Sequence, residues 1–187
     1  MRRLDAAAGA LALLTGLVVF GWGAGAPSAW RDEAVTIAVA SRDVGQVLEL
    51  VRGVDLVHAP HYLLVHALFG ADVTVLQARW VSVVAAALTG PLLYATGRRA
   101  ADRAVGATAA ALWPALPLVS RYAQEARPYA LAALLAALAT YLLVRAGTSR
   151  RWWAAWALCL PLVVAVNTMI SSKAAPASER SRRSFQR

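Results

Sequence analysis

The sequence predicts an all-α protein, a polytopic membrane helix bundle with about five spans. Of its 187 residues, 59% are apolar and only 16% are charged, whereas a soluble domain carries about 25% charged residues. The apolar residues form runs of roughly 20, the length that crosses a bilayer as a helix. The arginines lie between these runs, as the positive-inside rule describes, and this placement argues against a nucleic-acid partner.

Five segments are apolar enough to cross a bilayer, namely residues 4–23, 75–97, 104–120, 129–146 and 152–170. The third is short but uncharged, and the fifth opens with tryptophans that suit a membrane interface. The first is interpreted as a retained signal anchor, because its apolar stretch exceeds the usual core of about 7–15 residues in a cleavable signal peptide, which is the alternative. The tail at 171–187 is rich in Ser, Ala and Arg, a composition that predicts disorder.

The arginines orient the bundle. Segment 58–70 is too short to span comfortably, and counting it as a span would reverse every later loop and place most arginines outside. Without it, the inner side carries more arginines than the outer side, so we predict a cytoplasmic N-terminus and an outer loop at 24–74. The inner arginines are then Arg2, Arg3, Arg98, Arg99, Arg103, Arg145, Arg150 and Arg151, and the outer ones are Arg31, Arg42, Arg52, Arg79, Arg121 and Arg127.

Two short interfacial helices are predicted in this outer loop, joined by a turn at 53–55. In the first, apolar residues recur at helical spacing from Val44 to Val51, and Ser41 is its expected N-cap. The second begins near Pro60. At 100° per residue, one of its faces carries His58, His61, Tyr62, His66 and Phe69, and the other carries Leu63, Leu64, Ala67 and Leu68.

Two polar clusters are candidates for chemistry. The first is the pair Asp32 and Glu33 in WRDEAVT, which could instead be a solvated pair opening a helix. The second is SRYAQEARPYA at 120–130, which could be a merely polar turn. In the five-span topology both clusters face the outer side, where arginines can grip a phosphate and a carboxylate can take a proton. The second cluster contributes Arg121, Gln124, Glu125, Arg127 and Tyr129.

The histidines of the outer loop have no zinc-protease spacing, so we predict a polar or substrate-lining face and no metal site there. No cofactor is expected, and the sequence leaves dependence on a divalent metal open.

The chain resembles the N-terminal part of the GT-C glycosyltransferases, specifically bacterial relatives of protein O-mannosyltransferases and of lipid A aminoarabinose transferases. The resemblance covers residues 1 to about 160 and follows the order WRDEAVT, DLVHAPHYLLVH, QARWVSVVAAALTGPLLYATGRR and RYAQEARPYAL. Its most specific elements are Asp32 with Glu33 and the segment Glu125–Tyr129. His61 stands where the family often has Tyr.

This resemblance implies an inverting transfer of a mannose-like sugar from a polyprenyl-phosphate donor to an acceptor hydroxyl. The acceptor would be a glycan, a lipid or a protein, and the reaction would face the outer side of the cytoplasmic membrane. Asp32 would be the general base, with Glu33 beside it. The residues implied at the donor's phosphate and sugar are Arg127, Gln124, Glu125, Arg121 and Tyr129, with His58 lining the cleft.

Family members are longer, so residues 1–170 are expected to be the N-terminal part of such a module, in a truncated or frameshifted copy. By itself this chain is then expected to show no turnover. The alternative is a non-catalytic multi-pass protein, either an accessory subunit or a small transporter-like bundle. A transport path would place ionisable residues within the spans, and here the spans are almost free of charge.

Overall fold

The computed structural model describes residues 2–50 and 58–146, together with Trp153, Trp156 and Ala157. All regular structure in these ranges is helical, as predicted. The helices are α1 (Arg2–Gly21), α2 (Arg31–Ala40), α3 (Val44–Leu50), α4 (Ala59–Phe69), α5 (Val75–Ala100), α6 (Arg103–Ala115), α7 (Pro117–Ala123) and α8 (Tyr129–Ala146).

Within the described ranges, three helices are long and apolar enough to cross a bilayer, namely α1, α5 and α8. They coincide with the predicted spans 4–23, 75–97 and 129–146. The predicted turn at 53–55, nearly all of the span at 152–170 and the tail at 171–187 lie outside the described residues. The chain is therefore a helical membrane protein, and its total number of spans stays a prediction.

The prediction of one continuous helix over 104–120 is wrong. Helix α6 ends at Ala115 and α7 begins at Pro117, because Leu116 between them has an extended backbone with φ −82° and ψ 117°. Proline has no backbone N–H, and its ring disfavours a helical conformation at the preceding residue. Pro117 therefore ends one helix and opens the next.

Helix α5 lies at the centre of the bundle and packs against α1, α6 and α8. Small residues make this packing close. A Cβ on Gly16 of α1 would lie 2.9 Å from the Cα of Ala87, and one on Gly90 would lie 3.4 Å from the carbonyl oxygen of Ala12. Helices in membranes associate through such small residues, because lipid leaves no strong hydrophobic drive between them.

The outer loop contains three described helices instead of the two predicted. The additional helix is α2, which agrees with the alternative in which Asp32 and Glu33 open a helix. Ser41 is the C-cap of α2, where its N–H donates to the carbonyl of Ile37 at 2.9 Å. Its predicted role as the N-cap of the following helix is therefore wrong, and α3 begins three residues later. Helix α4 follows His58 and carries Pro60 in its first turn, as expected.

Helix α4 turns its histidine face towards the protein. His58, His61, Tyr62 and Val65 are buried, whereas Leu68 on the opposite face is 58% exposed. The predicted division of the two faces is therefore seen in part, because the polar face is the inner one but Leu63 and Leu64 of the other face also pack against the core. In this orientation the side chains of His58 and His61 face the interior of the protein.

Polar contacts hold the helices together at each end of the bundle, and these contacts differ between the two ends. At one end, Asp5 at the start of α1 accepts hydrogen bonds from Tyr94 (3.1 Å) and Arg103 (2.9 Å) and pairs with Arg98 (3.2 Å). We call this the Asp5 end. Since Tyr94 and Arg98 lie near the end of α5, helices α1 and α5 run antiparallel. The end of α1 and the start of α5 therefore meet at the opposite end, which we call the site end.

Candidate active site

The site end brings both predicted polar clusters together. Gln124, after α7, donates to the carbonyls of Phe20 (3.2 Å) and Trp22 (2.8 Å), which attaches the second cluster to the end of α1. Asp32 and Glu33 lie in the first turn of α2, which is the next helix after α1. Successive helical residues point about 100° apart, so the two carboxylates reach different partners.

Glu33 forms a fully buried ion pair with Arg79 of α5. Arg79 Nε donates to Glu33 Oε1 at 2.8 Å and Arg79 Nη2 donates to Oε2 at 2.7 Å, a bidentate arrangement. The backbone N–H of Ala126 also donates to Oε1 at 2.9 Å. Glu33 is 0% exposed and Arg79 is 3% exposed. The pair therefore links α2, α5 and the segment between α7 and α8.

The carboxyl group of Glu33 stays ionised in this position. Burial by itself would raise its pKa, but the hydrogen bonds from Arg79, followed by that from the Ala126 amide, hold the pKa below the usual value of 4.5. Arg79 in turn donates to the carbonyls of Ala24 (2.8 Å) and Pro27 (2.9 Å). The guanidinium therefore also shapes the chain that connects α1 and α2.

Asp32 meets Arg127, with 3.2 Å between Asp32 Oδ2 and Arg127 Nη2. The predicted approach of these two residues is therefore confirmed, while their chemical roles stay predictions. Asp32 is 38% exposed, whereas Arg127 is 2% exposed. Nη2 of Arg127 has the ion pair with Asp32, whereas Nε has no hydrogen-bond acceptor among the described residues. A buried guanidinium with unused donors is suited to an anionic group of a ligand.

Backbone contacts fix the position of Arg127. Its carbonyl accepts a hydrogen bond from Ser82 of α5 at 3.1 Å, and its N–H donates to the carbonyl of Glu125 at 2.8 Å. The guanidinium carbon lies 5.9 Å from the centre of the Tyr129 ring, within the range of a cation–π contact. Tyr129 therefore supports Arg127 from one side.

His58 and His61 lie beside this pair. His58 is 4% exposed and stacks on Tyr62, with ring centres 5.8 Å apart. His61 is 1% exposed. Burial first, and then the positive charges of His58 and Arg127, lower the pKa of His61 to about 4. His61 is therefore neutral near pH 7.

The second cluster divides between two places. Arg121, Gln124 and Glu125 line a cavity of about 320 Å³ at the site end, which Trp30 and the Glu33–Arg79 pair also line. Arg127 and Tyr129 do not line it. The N–H of Arg127 donates to the carbonyl of Glu125 at 2.8 Å, so the cavity and the Asp32–Arg127 pair are neighbours at the site end.

Three parts of the site were missed by sequence reasoning, namely Arg79, the Ala126 amide and the burial of His61. Arg79 was counted only as an outer charge, although an arginine one turn into an apolar helix is itself a signal of a buried partner. In residues 2–50 and 58–146, no group of three or more His, Cys, Asp or Glu side chains could hold a metal ion.

The fold and the site define a helical membrane protein with carboxylate–arginine pairs at one end of its bundle. Residues 58–176 match the family described as dolichyl-phosphate-mannose-protein mannosyltransferase. Since the match covers more than half of the chain, the chain belongs to this family. Comparison with curated proteins and with solved structures gave no match. The matched segment contains His58, Arg79 and Arg127, whereas Asp32 and Glu33 precede it.

Proposed function

We propose that the site end of this chain belongs to an enzyme that moves a mannose-type sugar from a polyprenyl-phosphate donor to an acceptor hydroxyl on the outer side of the cytoplasmic membrane. Membership of the family makes it a membrane glycosyltransferase of the mannosyltransferase type. The observation that carries the finer proposal is the contact of 3.2 Å between Asp32 and Arg127. It puts a half-exposed carboxylate beside a buried guanidinium that has donors to spare.

In the proposed step, the acceptor hydroxyl gives its proton to Asp32 while its oxygen forms a bond to the anomeric carbon of the donor. The bond from that carbon to the phosphate oxygen breaks, its electron pair leaves with the phosphate, and the configuration inverts. Arg127 donates hydrogen bonds to the phosphate as its negative charge grows. Phosphate is already a good leaving group, so no second carboxylic acid is needed.

Glu33 has a different part in this proposal. Both of its oxygens already accept hydrogen bonds from Arg79, and one also accepts from the Ala126 amide. It has little capacity left to take a proton from an acceptor. We therefore assign it a positioning role, in which it places α2 and the residue before Arg127 relative to α5.

The experiment that tests the proposal measures retention of a radiolabelled polyprenyl-phosphate mannose by the purified full chain in lipid nanodiscs. Wild type and Asp32→Asn should retain the donor. Arg127→Ala should lose it, and Arg127→Lys should retain it weakly, because a point charge does not reproduce the guanidinium fork. The matched control is Arg99→Ala, an exposed arginine on the last turn of α5.

The chain by itself is expected to show no turnover, so transfer is then followed in a longer family member that carries its residues 1–170. Asp32→Asn should lower the rate about 10²–10⁴-fold, the usual effect of losing a general base. The step uses only side chains of the protein, so EDTA should leave it unchanged. A wild-type chain that retains no donor would contradict the proposal and favour the non-catalytic alternative.

The proposed orientation places the site end outside and the Asp5 end in the cytoplasm. Single cysteines at Asp72 and at Ala100, both exposed, test it in a Cys159→Ser background. A membrane-impermeant thiol reagent added to intact cells should label position 72 and spare position 100. The reverse pattern would overturn the orientation.

A further inference from the structure

The Asp5 end carries more positive than negative charge. Arg98 and Arg103 both pair with the same oxygen of Asp5, Oδ1, at 3.2 and 2.9 Å, and the hydroxyl of Tyr94 donates to that oxygen at 3.1 Å. The neighbouring carboxylate, Asp102, caps the start of α6 and accepts a hydrogen bond from its backbone. One carboxylate cannot neutralise two guanidinium groups, so Asp5 and its two arginines together keep one positive charge.

The two arginines are fixed in place and remain accessible. Arg98 lies on the last turn of α5, Arg103 is the first residue of α6, and Asp5 in the first turn of α1 holds both. Arg98 is 46% exposed and Arg103 is 41% exposed. Their shared carboxylate keeps the two like charges side by side, so an anion can meet both guanidinium groups without first ordering them. Such a pair is suited to a phosphate, which accepts the forked hydrogen bonds of arginine.

The position of this pair along the helices matches the depth of lipid headgroups. Helices α1 and α5 are both long and apolar enough to cross a bilayer, and both have an end here. The 19 residues of the first candidate span extend over about 29 Å as a helix, close to the bilayer's hydrocarbon thickness of about 30 Å. The arginines therefore lie where the hydrocarbon gives way to the phosphates of the lipids.

Exposed apolar side chains continue from the arginine pair into the membrane. On α1, Leu11 lies six residues after Asp5 and is 66% exposed, and on α6, Leu112 lies nine residues after Arg103 and is 57% exposed. Helices α1 and α6 also pack against each other. Free phosphate would contact the arginines alone, whereas a phospholipid would also cover this apolar surface with its acyl chains. The combination therefore favours a lipid.

We propose that the Asp5 end binds an anionic phospholipid such as phosphatidylglycerol, with its phosphate on Arg98 and Arg103 and its acyl chains along α1 and α6. The proposal does not depend on the proposed function, because this site lies at the opposite end of the bundle. It also holds for either orientation of the chain in the membrane. The bound lipid links α1, α5 and α6, so it stabilises the bundle as well as occupying its surface.

The test is native mass spectrometry of the full chain in a neutral detergent, titrated with phosphatidylglycerol or phosphatidylcholine. A neutral detergent removes the general attraction of a charged bilayer surface. Wild type should retain phosphatidylglycerol more tightly than phosphatidylcholine. Arg98→Gln should weaken retention of phosphatidylglycerol about tenfold or more, the loss expected for a hydrogen bond between two charged groups. The matched control is Arg99→Gln, which removes the same charge from the neighbouring exposed arginine and should bind as wild type does.

Asp5→Asn provides a test that damage to the fold cannot imitate. Asparagine keeps an oxygen that accepts hydrogen bonds from both arginines, but it removes the negative charge that opposes the phosphate. This variant should therefore bind phosphatidylglycerol more tightly than wild type does. Added phosphatidylglycerol should also raise the thermal unfolding temperature of wild type and of Asp5→Asn more than that of Arg98→Gln, because a ligand of the folded state stabilises it.

Equal retention of the two lipids by wild type would overturn the proposal, and so would weaker binding by Asp5→Asn. Equal losses for Arg98→Gln and Arg99→Gln would show a diffuse basic surface in place of a site. Displacement of phosphatidylglycerol by inorganic phosphate, but not by sodium chloride of the same ionic strength, would show that the site takes free phosphate and not a lipid.

Discussion

The two ends of the bundle each hold a carboxylate between helices by means of arginine, but they differ in burial. At the site end, Glu33 and Arg79 are 0% and 3% exposed. At the Asp5 end, Asp5 is 11% exposed, and its partners Arg98 and Arg103 are 46% and 41% exposed. Water can replace a lost partner more readily at the Asp5 end than at the site end, where both members of the pair are buried. Burial, and not the number of contacts, therefore decides which pair fixes the geometry of the protein.

The largest effect is expected from Glu33→Gln, which removes the carboxylate that is hydrogen-bonded to the buried guanidinium of Arg79. Breaking one side of a buried pair costs about 3–5 kcal/mol, measured as the free energy of unfolding in mixed detergent micelles. The neighbouring, half-exposed Asp32→Asn is the matched control and should lose much less. The double variant Glu33→Gln/Arg79→Met should recover part of the loss. Equal losses of stability for Glu33→Gln and Asp32→Asn would show that the difference in burial does not decide the contribution of each pair.

The second prediction concerns acid and His61. The pKa of this histidine falls from 6.5 when unfolded to about 4 when folded, so only the unfolded state takes up its proton between these values. Stability should be fully present above pH 6.5 and should fall by roughly 3 kcal/mol as the pH drops to 4. His61→Phe should flatten this part of the pH profile. A profile that stays equally steep would show that another group is responsible.

Glu33 acts at lower pH in the same profile. Its folded pKa is below the usual 4.5, so its contribution is present above that value and is lost as the pH falls through the folded pKa. Glu33→Gln should therefore reduce the pH dependence below 4.5 and leave the part above it to His61.

A third prediction tests what holds the Asp5 end together besides charge. A Cβ on Gly106 of α6 would lie 2.5 Å from the carbonyl oxygen of Tyr94 and 2.9 Å from the backbone nitrogen of Arg98. Gly106→Ala should therefore separate α6 from α5 and cost about 1–3 kcal/mol of unfolding free energy. Gly9→Ala on α1 is the control, since nothing lies within 4 Å of its added Cβ. A Gly106→Ala chain as stable as the control would show that this close approach is dispensable.

The smallest effect is expected from Asp5→Asn. The arginines that it releases are about half exposed and can be hydrated, so stability should change less than in Glu33→Gln or Gly106→Ala. The remaining difference from wild type should shrink further as salt is raised, because exposed charges are screened. Thermal unfolding at low and high salt measures this. A loss as large as that of Glu33→Gln would mean that the two ends do not differ.

Much of the bundle could be predicted from local patterns. Runs of apolar residues predicted α1, α5 and α8, and counting spans predicted that Asp32 and Arg127 share one end. The break at Leu116 was missed because the hydropathy of 104–120 outweighed Pro117, although the proline alone could have indicated it. Helix α2 was not counted among the predicted outer-loop helices, although the two carboxylates in its first turn had suggested a helix start as an alternative.

The Glu33–Arg79 pair could not be predicted from local sequence. Its members are 46 positions apart, and no periodicity links a loop carboxylate to one particular arginine. The same holds for the amide of Ala126, which carries no side-chain signal at all. The inward orientation of the histidines on α4 also depends on which helix covers that face. These features follow from tertiary packing, which sequence patterns describe only in part.

The long separation within the Glu33 cluster has a consequence for synthesis of the protein. Arg79 follows Glu33 by 46 residues and Ala126 follows it by 93. At a synthesis rate of about 5–20 residues per second, Arg79 is made roughly 2–9 s after Glu33, and Ala126 is made roughly 5–19 s after it. Burial of the unpaired carboxylate would be costly during that time. We therefore expect α2 to pack against the bundle only after α5 has been synthesised. The order of synthesis therefore sets the order of assembly at the site end. Helix α5 packs against α2 first, and the segment before α8 adds the last hydrogen bond.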